Sequence, residues 1–250
     1  MPLANTLILA LAAFFAGLVD AVAGGGGLIS LPALLVAGVP PHLALGTNKI
    51  QSCCGTAFGA GRYWHGGHLH PRMGPAAALG ALAGSYLGAR LALIVSGEML
   101  LRIVPFLIAA VAAVTFLRPE FGREDRFAGV SPGRLLGAAL LGLGIGCYDG
   151  FFGPGTGTFL AFGFVFCFGF GFLGATAQAK LANLASNLAA AAAFIMAGKI
   201  DWSAALPMAA ANIAGNWLGA GLAMRGGARL IKPVFGLVLA GLLVKLVFFS

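Results

Sequence analysis

Ten apolar segments, each about 15 to 23 residues long, follow one another along the chain at roughly 3–23, 28–45, 50–64, 73–95, 99–117, 135–152, 156–173, 176–197, 202–224 and 229–249. Hydrophobic residues make up 60% of the 250 and charged residues 9%, whereas a soluble domain carries about 25% charged. Apolar stretches of that length, repeated, read as a polytopic membrane protein. In hydrocarbon the backbone must satisfy its own polar groups, which a helix does within one segment. The expected fold is all-α, a single transmembrane transporter-type domain over 1–250.

The one strongly polar stretch is "RPEFGREDRFAGVSPGR", Arg118–Arg134, which reads as a loop with five segments on either side. The net charge of +8 sits largely in short inter-helix loops. That placement points to lipid orientation and not to nucleic acid, so no nucleic-acid partner is expected. Residues 1–23 carry an "AVA" at 21–23 that resembles a cleavage site, but no Lys or Arg precedes it. The basic start of a signal peptide is missing, and the segment reads as a retained first helix. Cys53, Cys54, Cys147 and Cys167 lie in apolar segments without CxxC spacing, so they read as small buried side chains, not as a disulfide or zinc set. His65, His68 and His70 cluster with Arg62 and Arg72 in what reads as an interfacial loop, not a metal site. His42, after Pro40 and Pro41, is expected in a turn.

The two groups of five are copies of one another. "ALAGSYLGARLA" (81–92) lies against "NIAGNWLGAGLA" (212–223) at an offset of 131, and at that offset Lys49 meets Lys180. At an offset of 129, Asp20 meets Asp149, Gly17 meets Gly146 and Gly24 meets Gly153. The units are 1–117 and 135–250, joined by 118–134. Each holds an odd number of segments, so the second enters from the opposite side. This is an inverted-topology repeat, an architecture common among secondary transporters. If the first two segments of each unit are half-length re-entrant pieces, three crossings remain, still odd. Arg62, Arg72, Arg118, Arg123, Arg126, Arg134, Arg225, Arg229 and Lys232 fall on one side, nine in all, against Arg90, Arg102, Lys199 and Lys245, four, on the other. The richer side is expected in the cytoplasm and both termini outside.

Each unit also interrupts its apolar pattern at the same place. "VDAVAGGGGLIS" (19–30) and "YDGFFGPGTGTF" (148–159) each read as an apolar helix, an aspartate, and then a glycine-rich break. Four glycines cannot hold a helix, and Pro154 cannot continue one. Such breaks are tolerated at membrane depth only where protein buries them or water reaches them. Free N–H groups at the restarted helices favour anions, and glycine allows close backbone approach. Interrupted segments at matching places point to a transporter's binding site. The bland reading makes the breaks interfacial turns on opposite membrane faces.

Two polar stripes follow, "LGTNKIQS" (45–52) and "GATAQAKLANLASN" (174–187). Lys180, Asn183 and Asn187 share one helix face. Polar stripes can serve as helix–helix glue alone. The lysines could also snorkel or pair with Asp20 or Asp149, Lys49 with Asp20 being the pairing to test. The functional reading places Lys49 and Lys180 on one central cavity, binding a small oxyanion. Asn48, Gln51, Asn183 and Asn187 complete its hydrogen bonds, and Gly25, Gly26, Gly155 and Thr156 supply the breaks. Asp20 and Asp149 are the coupling-ion sites or charge partners.

"DAVAGGGGLISLPALLVAGVPPHLALGTNKIQ" (20–51) resembles the first-repeat signature of the sulfite exporter TauE/SafE family, and "YDGFFGPGTGTF" with "ATAQAKLANLASNLAA" (175–190) resembles its second. The resemblance covers nearly the whole chain. It implies an inner-membrane permease, similar to the 4-toluene sulfonate uptake permeases, for small sulfur-containing anions such as sulfite or sulfonates, with no cofactor. The expected partners are the anion and the lipid bilayer, and a homodimer is allowed. The competing classes are a channel-like anion conduit using the same residues, and a membrane enzyme. The enzyme would need a His, Asp, Glu and Cys cluster on one membrane face, which the sequence does not offer, and no Walker motif is present.

Overall fold

The computed structural model describes residues 3–103, 106 and 124–226. The fifth and tenth apolar segments lie largely or wholly outside those residues, as do loop cations Arg118, Arg123, Arg229, Lys232 and Lys245. The described residues form helices α1 (Leu3–Ala23), α2 (Gly27–Val36), α3 (Pro41–His65), α4 (Met73–Ile94), α5 (Pro132–Phe151), α6 (Thr156–Phe168), α7 (Phe172–Met196) and α8 (Trp202–Met224). By length and composition α1, α4 and α7 are apolar enough to cross a membrane. The 25 residues of α3 and of α7 give each about 37 Å of axis, more than a bilayer's hydrocarbon thickness of about 30 Å.

Left-handed glycines recur in register: Gly24 and Gly153 at φ 77° and 98°, Gly38 and Gly169 at 81° and 78°, Gly67 and Gly198 at 73° and 64°. The break after α2 and its partner after α6 move two sequence-based boundaries. The expected second segment ran to 45 and the third began at 50. In the structure α2 stops at Val36, and Pro41 opens α3 at its first turn, where a missing N–H costs nothing. Likewise Gly169 ends α6, and α7 starts at Phe172 instead of 176. The proline pair and the glycines outweigh an apolar pattern that runs on through them. His42 therefore sits in the first turn of α3, not in a turn outside a helix. Its Nε2 lies 3.2 and 3.0 Å from the carbonyls of Ala92 and Val95 at the end of α4. His70 caps α4, its Nδ1 accepting from the N–H of Arg72 and of Met73.

Helix packing crosses between the units: α1 lies along α8 and α4 along α5. Both seams are built from glycine. A Cβ on Gly80, Gly84 or Gly88 of α4 would run into the carbonyls of Ala139, Leu143 or Cys147 on α5. In return, one on Gly142, Gly146 or Gly150 would meet those of Ala77, Ala81 or Ser85. Gly17 faces Asn212, while Gly215 and Gly219 face Phe14 and Leu18. Residue numbers rise together across both seams, so these pairs run parallel. Small residues bring backbones close where lipid offers no hydrophobic drive to associate. The outward sides carry exposed Leu7 and Leu11 on α1, Leu87 and Leu91 on α4, Leu136 on α5 and Leu218 on α8, as lipid contact requires.

Enclosed by these seams, α3 and α7 run antiparallel. Gln178, near the start of α7, donates to His68 O and accepts from His70 N, just past the end of α3. At the other end Thr47 of α3 accepts from Asp201 N, beyond the end of α7. A cavity of about 800 Å³ lies where α3 finishes and α7 begins, bordered by His68, His70, Asp125, Phe127 and Phe170.

Candidate functional site

The two lysines occupy the same place in the two central helices, Lys49 eight residues past Pro41 and Lys180 eight past Phe172. That is about 12 Å along each axis, well below either end. Each is 1% exposed. A charge held there needs a partner, and the partner comes from the other unit. Lys49 Nζ lies 2.8 Å from Asp149 Oδ2, and Lys180 Nζ lies 2.5 Å from Asp20 Oδ2. The pairs are therefore crossed: of the two carboxylates open to Lys49 it takes Asp149, and the Lys49–Asp20 pairing singled out for testing is not formed. Asp149 and Asp20 end the first helix of each unit just before the break. Parallel packing of α1 on α8 and of α5 on α4 sets them against the opposite unit's third helix.

Hydroxyls complete each carboxylate. Ser186 Oγ donates to Asp149 Oδ2, and Thr156 Oγ1 sits 2.6 Å from Asp149 Oδ1. Thr56 Oγ1 donates to Asp20 Oδ2 at 3.3 Å. Thr56 lies seven residues beyond Lys49, two turns along one helix face, and Ser186 lies six residues beyond Lys180. Besides Thr56, the sequence reading left out Ser30. Its hydroxyl donates to Asn48 Oδ1 at 2.6 Å, and Gln51 Nε2 donates to the same oxygen at 2.9 Å. Gln51 is fully buried, and its Oε1 has no partner among the described residues. In the second unit Asn187 Nδ2 donates to Asn183 Oδ1 at 3.2 Å. Asn212 and Asn216 of α8 were also missed. A Cβ on Gly55 would overlap the Asn212 amide, and one on Gly59 would crowd that of Asn216. The signal for both was the glycine spacing on the facing helix.

The breaks meet each other. Gly24 packs on Gly157 with no room for a Cβ on either, and Gly27 faces Pro154. Thr158 Oγ1 donates to Ala23 O at 2.5 Å. Two loops in contact cannot lie on opposite membrane faces, so the interfacial-turn reading does not describe this fold. Gly153, at φ 98°, leaves the space that the Lys49 ammonium fills, since a Cβ there would come within 2.7 Å of Nζ. Gly26 packs against the carbonyl of Ala16 and the Cβ of Asp20, so a side chain there strikes protein before any ligand. Gly155 caps α6 at φ 83°. Gly25 O accepts from Leu28 N at 3.0 Å. The amides expected to stand free are in part engaged. Those of Ile29 and Ser30 donate to Gly26 O, that of Thr156 to Gly153 O and that of Phe159 to Gly155 O.

The cavity at the end of α3 is not bordered by either lysine. In this conformation the lysines face carboxylates in a closed interior. The arrangement holds two compensated charge pairs, each with hydroxyls and amides around it, at a crossing of broken backbone.

Comparison with known proteins agrees with the sequence motifs. The family model described as Sulfite exporter TauE/SafE matches residues 9–246. A probable membrane transporter protein of Sinorhizobium sp is 42% identical over 235 residues, covering 94% of this chain and 89% of the relative. One from Haemophilus influenzae is 37% identical over 235 residues, covering 94% and 91%. The probable membrane transporter protein YfcA of Escherichia coli K12 is 36% identical over 247 residues, covering 97% and 90%. No solved structure matches.

Proposed function

Because the chain belongs to the sulfite exporter TauE/SafE family and is a membrane transporter, we propose that it carries small sulfur-containing or organic oxyanions across the inner membrane by alternating access. The observation that carries this reading is the crossed pairing of Lys49 with Asp149 and Lys180 with Asp20 in a closed interior. A sulfite- or sulfonate-like group offers a lysine the same negative oxygens that the aspartate offers. It competes for the ammonium, and Asn48, Gln51, Asn183 and Asn187 complete its hydrogen bonds. Gly25, Gly26, Gly155 and Thr156 give the breaks the shape that lets backbone approach it.

Inversion supplies the alternation. Equivalent helices α3 and α7 run antiparallel, and each unit's first helix is held parallel to the other unit's fourth. Two units related this way can exchange conformations, opening the same site first to one face and then to the other. Arg62, Arg72, Arg126, Arg134 and Arg225 belong to the cavity-bearing end, so that end is cytoplasmic and the cavity is its vestibule.

The test is uptake into proteoliposomes holding the purified protein, using radiolabelled sulfite, sulfonates and carboxylates. Saturable uptake of at least one sulfur oxyanion is expected. Lys180→Met should weaken its affinity roughly ten- to hundredfold, the worth of a hydrogen bond to a charged group. Uptake of none of the panel, or uptake that never saturates, overturns the reading.

A further inference from the structure

Asp149 differs from Asp20 in one respect that bears on what drives transport. Thr156 Oγ1 stands between two acceptors, 2.6 Å from Asp149 Oδ1 and 2.7 Å from Gly153 O. A hydroxyl has one hydrogen. While Asp149 is ionised, the Thr156 hydroxyl can place its hydrogen in one of these two short contacts and not both; Gly153 O keeps the Thr156 N–H, but the other oxygen pair then meets lone pair to lone pair. A proton on Asp149 Oδ1 removes the conflict: Asp149 donates to Thr156 Oγ1, and Thr156 donates to Gly153 O. The hydroxyl on Asp20 is placed otherwise. Thr56 meets Oδ2, the oxygen that Lys180 already holds.

The groups facing Asp149 are few. Lys49 comes from α3, Ser186 from α7 and Thr156 from the start of α6. Tyr148 is its neighbour on α5, and that hydroxyl donates to Pro154 O at 2.6 Å. The α4 helix meets this stretch through backbone at Ser85 and Ala89. Among the described residues Lys49 and Tyr148 are the titratable members of this set, and of the two Lys49 contacts the carboxylate.

We propose that Asp149 is the coupling-ion site and that the ion is a proton, bound at Oδ1 when an oxyanion takes Lys49. The inference rests on the anion-transport reading above. The proton comes from the aqueous face that delivers the anion. It forms the Asp149 O–H bond, the Thr156 hydroxyl turns to Gly153 O, and Lys49 remains an ammonium. The Lys49–Asp149 pair is neutral. Protonation makes it +1, and a monovalent anion returns it to zero. One proton thus enters per monoanion, and the closed site never holds an unpaired charge.

The test uses methanesulfonate, which is fully ionised at working pH and brings no proton of its own. Wild-type protein in detergent should take up one proton per methanesulfonate bound, read with a pH dye. Infrared difference spectra should show a new protonated-carboxyl band that is lost in Asp149→Asn and kept in Asp20→Asn. Binding without proton uptake, or a band that persists in Asp149→Asn, overturns the proposal. Thr156→Val, which keeps the Lys49 pair, should cut accumulation driven by a pH gradient at least tenfold, and Thr156→Ser should restore it. A Thr156→Val variant that still accumulates normally also overturns it. If methanesulfonate does not bind, an infrared pH titration of the anion-free protein decides. A carboxyl band lost in Asp149→Asn supports the proton site, and an unchanged band refutes it. Failure of the anion reading looks different, because the wild-type protein would then take up no member of the oxyanion panel, whatever the carboxyl band shows.

Discussion

Lys49 alone should not tolerate loss of its charge. Lys49→Met leaves Asp149 buried beside two hydroxyls with no counter-ion, which costs about 3–5 kcal/mol. Thermal unfolding in detergent should fall sharply. Adding Asp149→Asn should recover most of the loss, because both charges then leave together. Adding Asp20→Asn should not, and it strands Lys180 as well. Recovery by Asp20→Asn instead would mean that the pairs are not crossed. Both lysines and both aspartates were legible in the sequence, since an ionisable residue in an apolar segment is too costly to keep without a partner or a ligand. Their pairing was not. Asp20 and Lys49 belong to one unit, and nothing in a single chain's residues says that the partner lies 160 positions from Lys180. Thr56 was hidden, and Ser186 stood in the second polar stripe without a partner, for a related reason: small hydroxyls are common in membrane helices, and only the carboxylate opposite gives them a role.

Helix contacts depend on which glycines face a neighbour. Gly142 and Gly144 lie two residues apart on α5. A Cβ on Gly142 would overlap the Ala77 carbonyl of α4, while none of the described residues lies within 4 Å of one on Gly144. Gly142→Ala should therefore reduce the yield of monodisperse protein on size exclusion. Gly144→Ala should leave it intact and add up to about 1 kcal/mol through helix propensity. Equal behaviour of the two would show that the α4–α5 seam is not packed through glycine. The interrupted helices were legible because glycine runs and Pro154 contradict helical propensity outright. The joins between α2 and α3 and between α6 and α7 were displaced because apolar residues continue through them. Pro40, Pro41, Gly38 and Gly169 carry the boundary there, against the hydropathy.

At the scale of the whole molecule, parity of the repeat was the most far-reaching inference from sequence, and labelling from the two membrane faces is what decides it. The loop after α3 and the start of α7 share one end, as His68, His70 and Gln178 show. The start of α3 and the residue after α7 share the other, through Thr47 and Asp201. Equivalent helices thus point opposite ways. If the units are inverted and the cation-rich loops are cytoplasmic, single cysteines at Gly67 and Gly226 must react with an impermeant maleimide only from the inside. One at Gly198, in the register partner of Gly67, must react only from the outside. All three positions have open space for a side chain, so labelling reads orientation and not accessibility, although each glycine has positive φ and its cysteine carries some backbone strain. Tags on the two termini should both report outside. Labelling of 67 and 198 from the same side would break the inversion, whatever the charge bias says. Opposite labelling with the sides exchanged would keep the inversion and overturn only the assignment of the cytoplasmic face. The two halves of the inference therefore fail separately: one rests on helix direction, the other on nine cations against four.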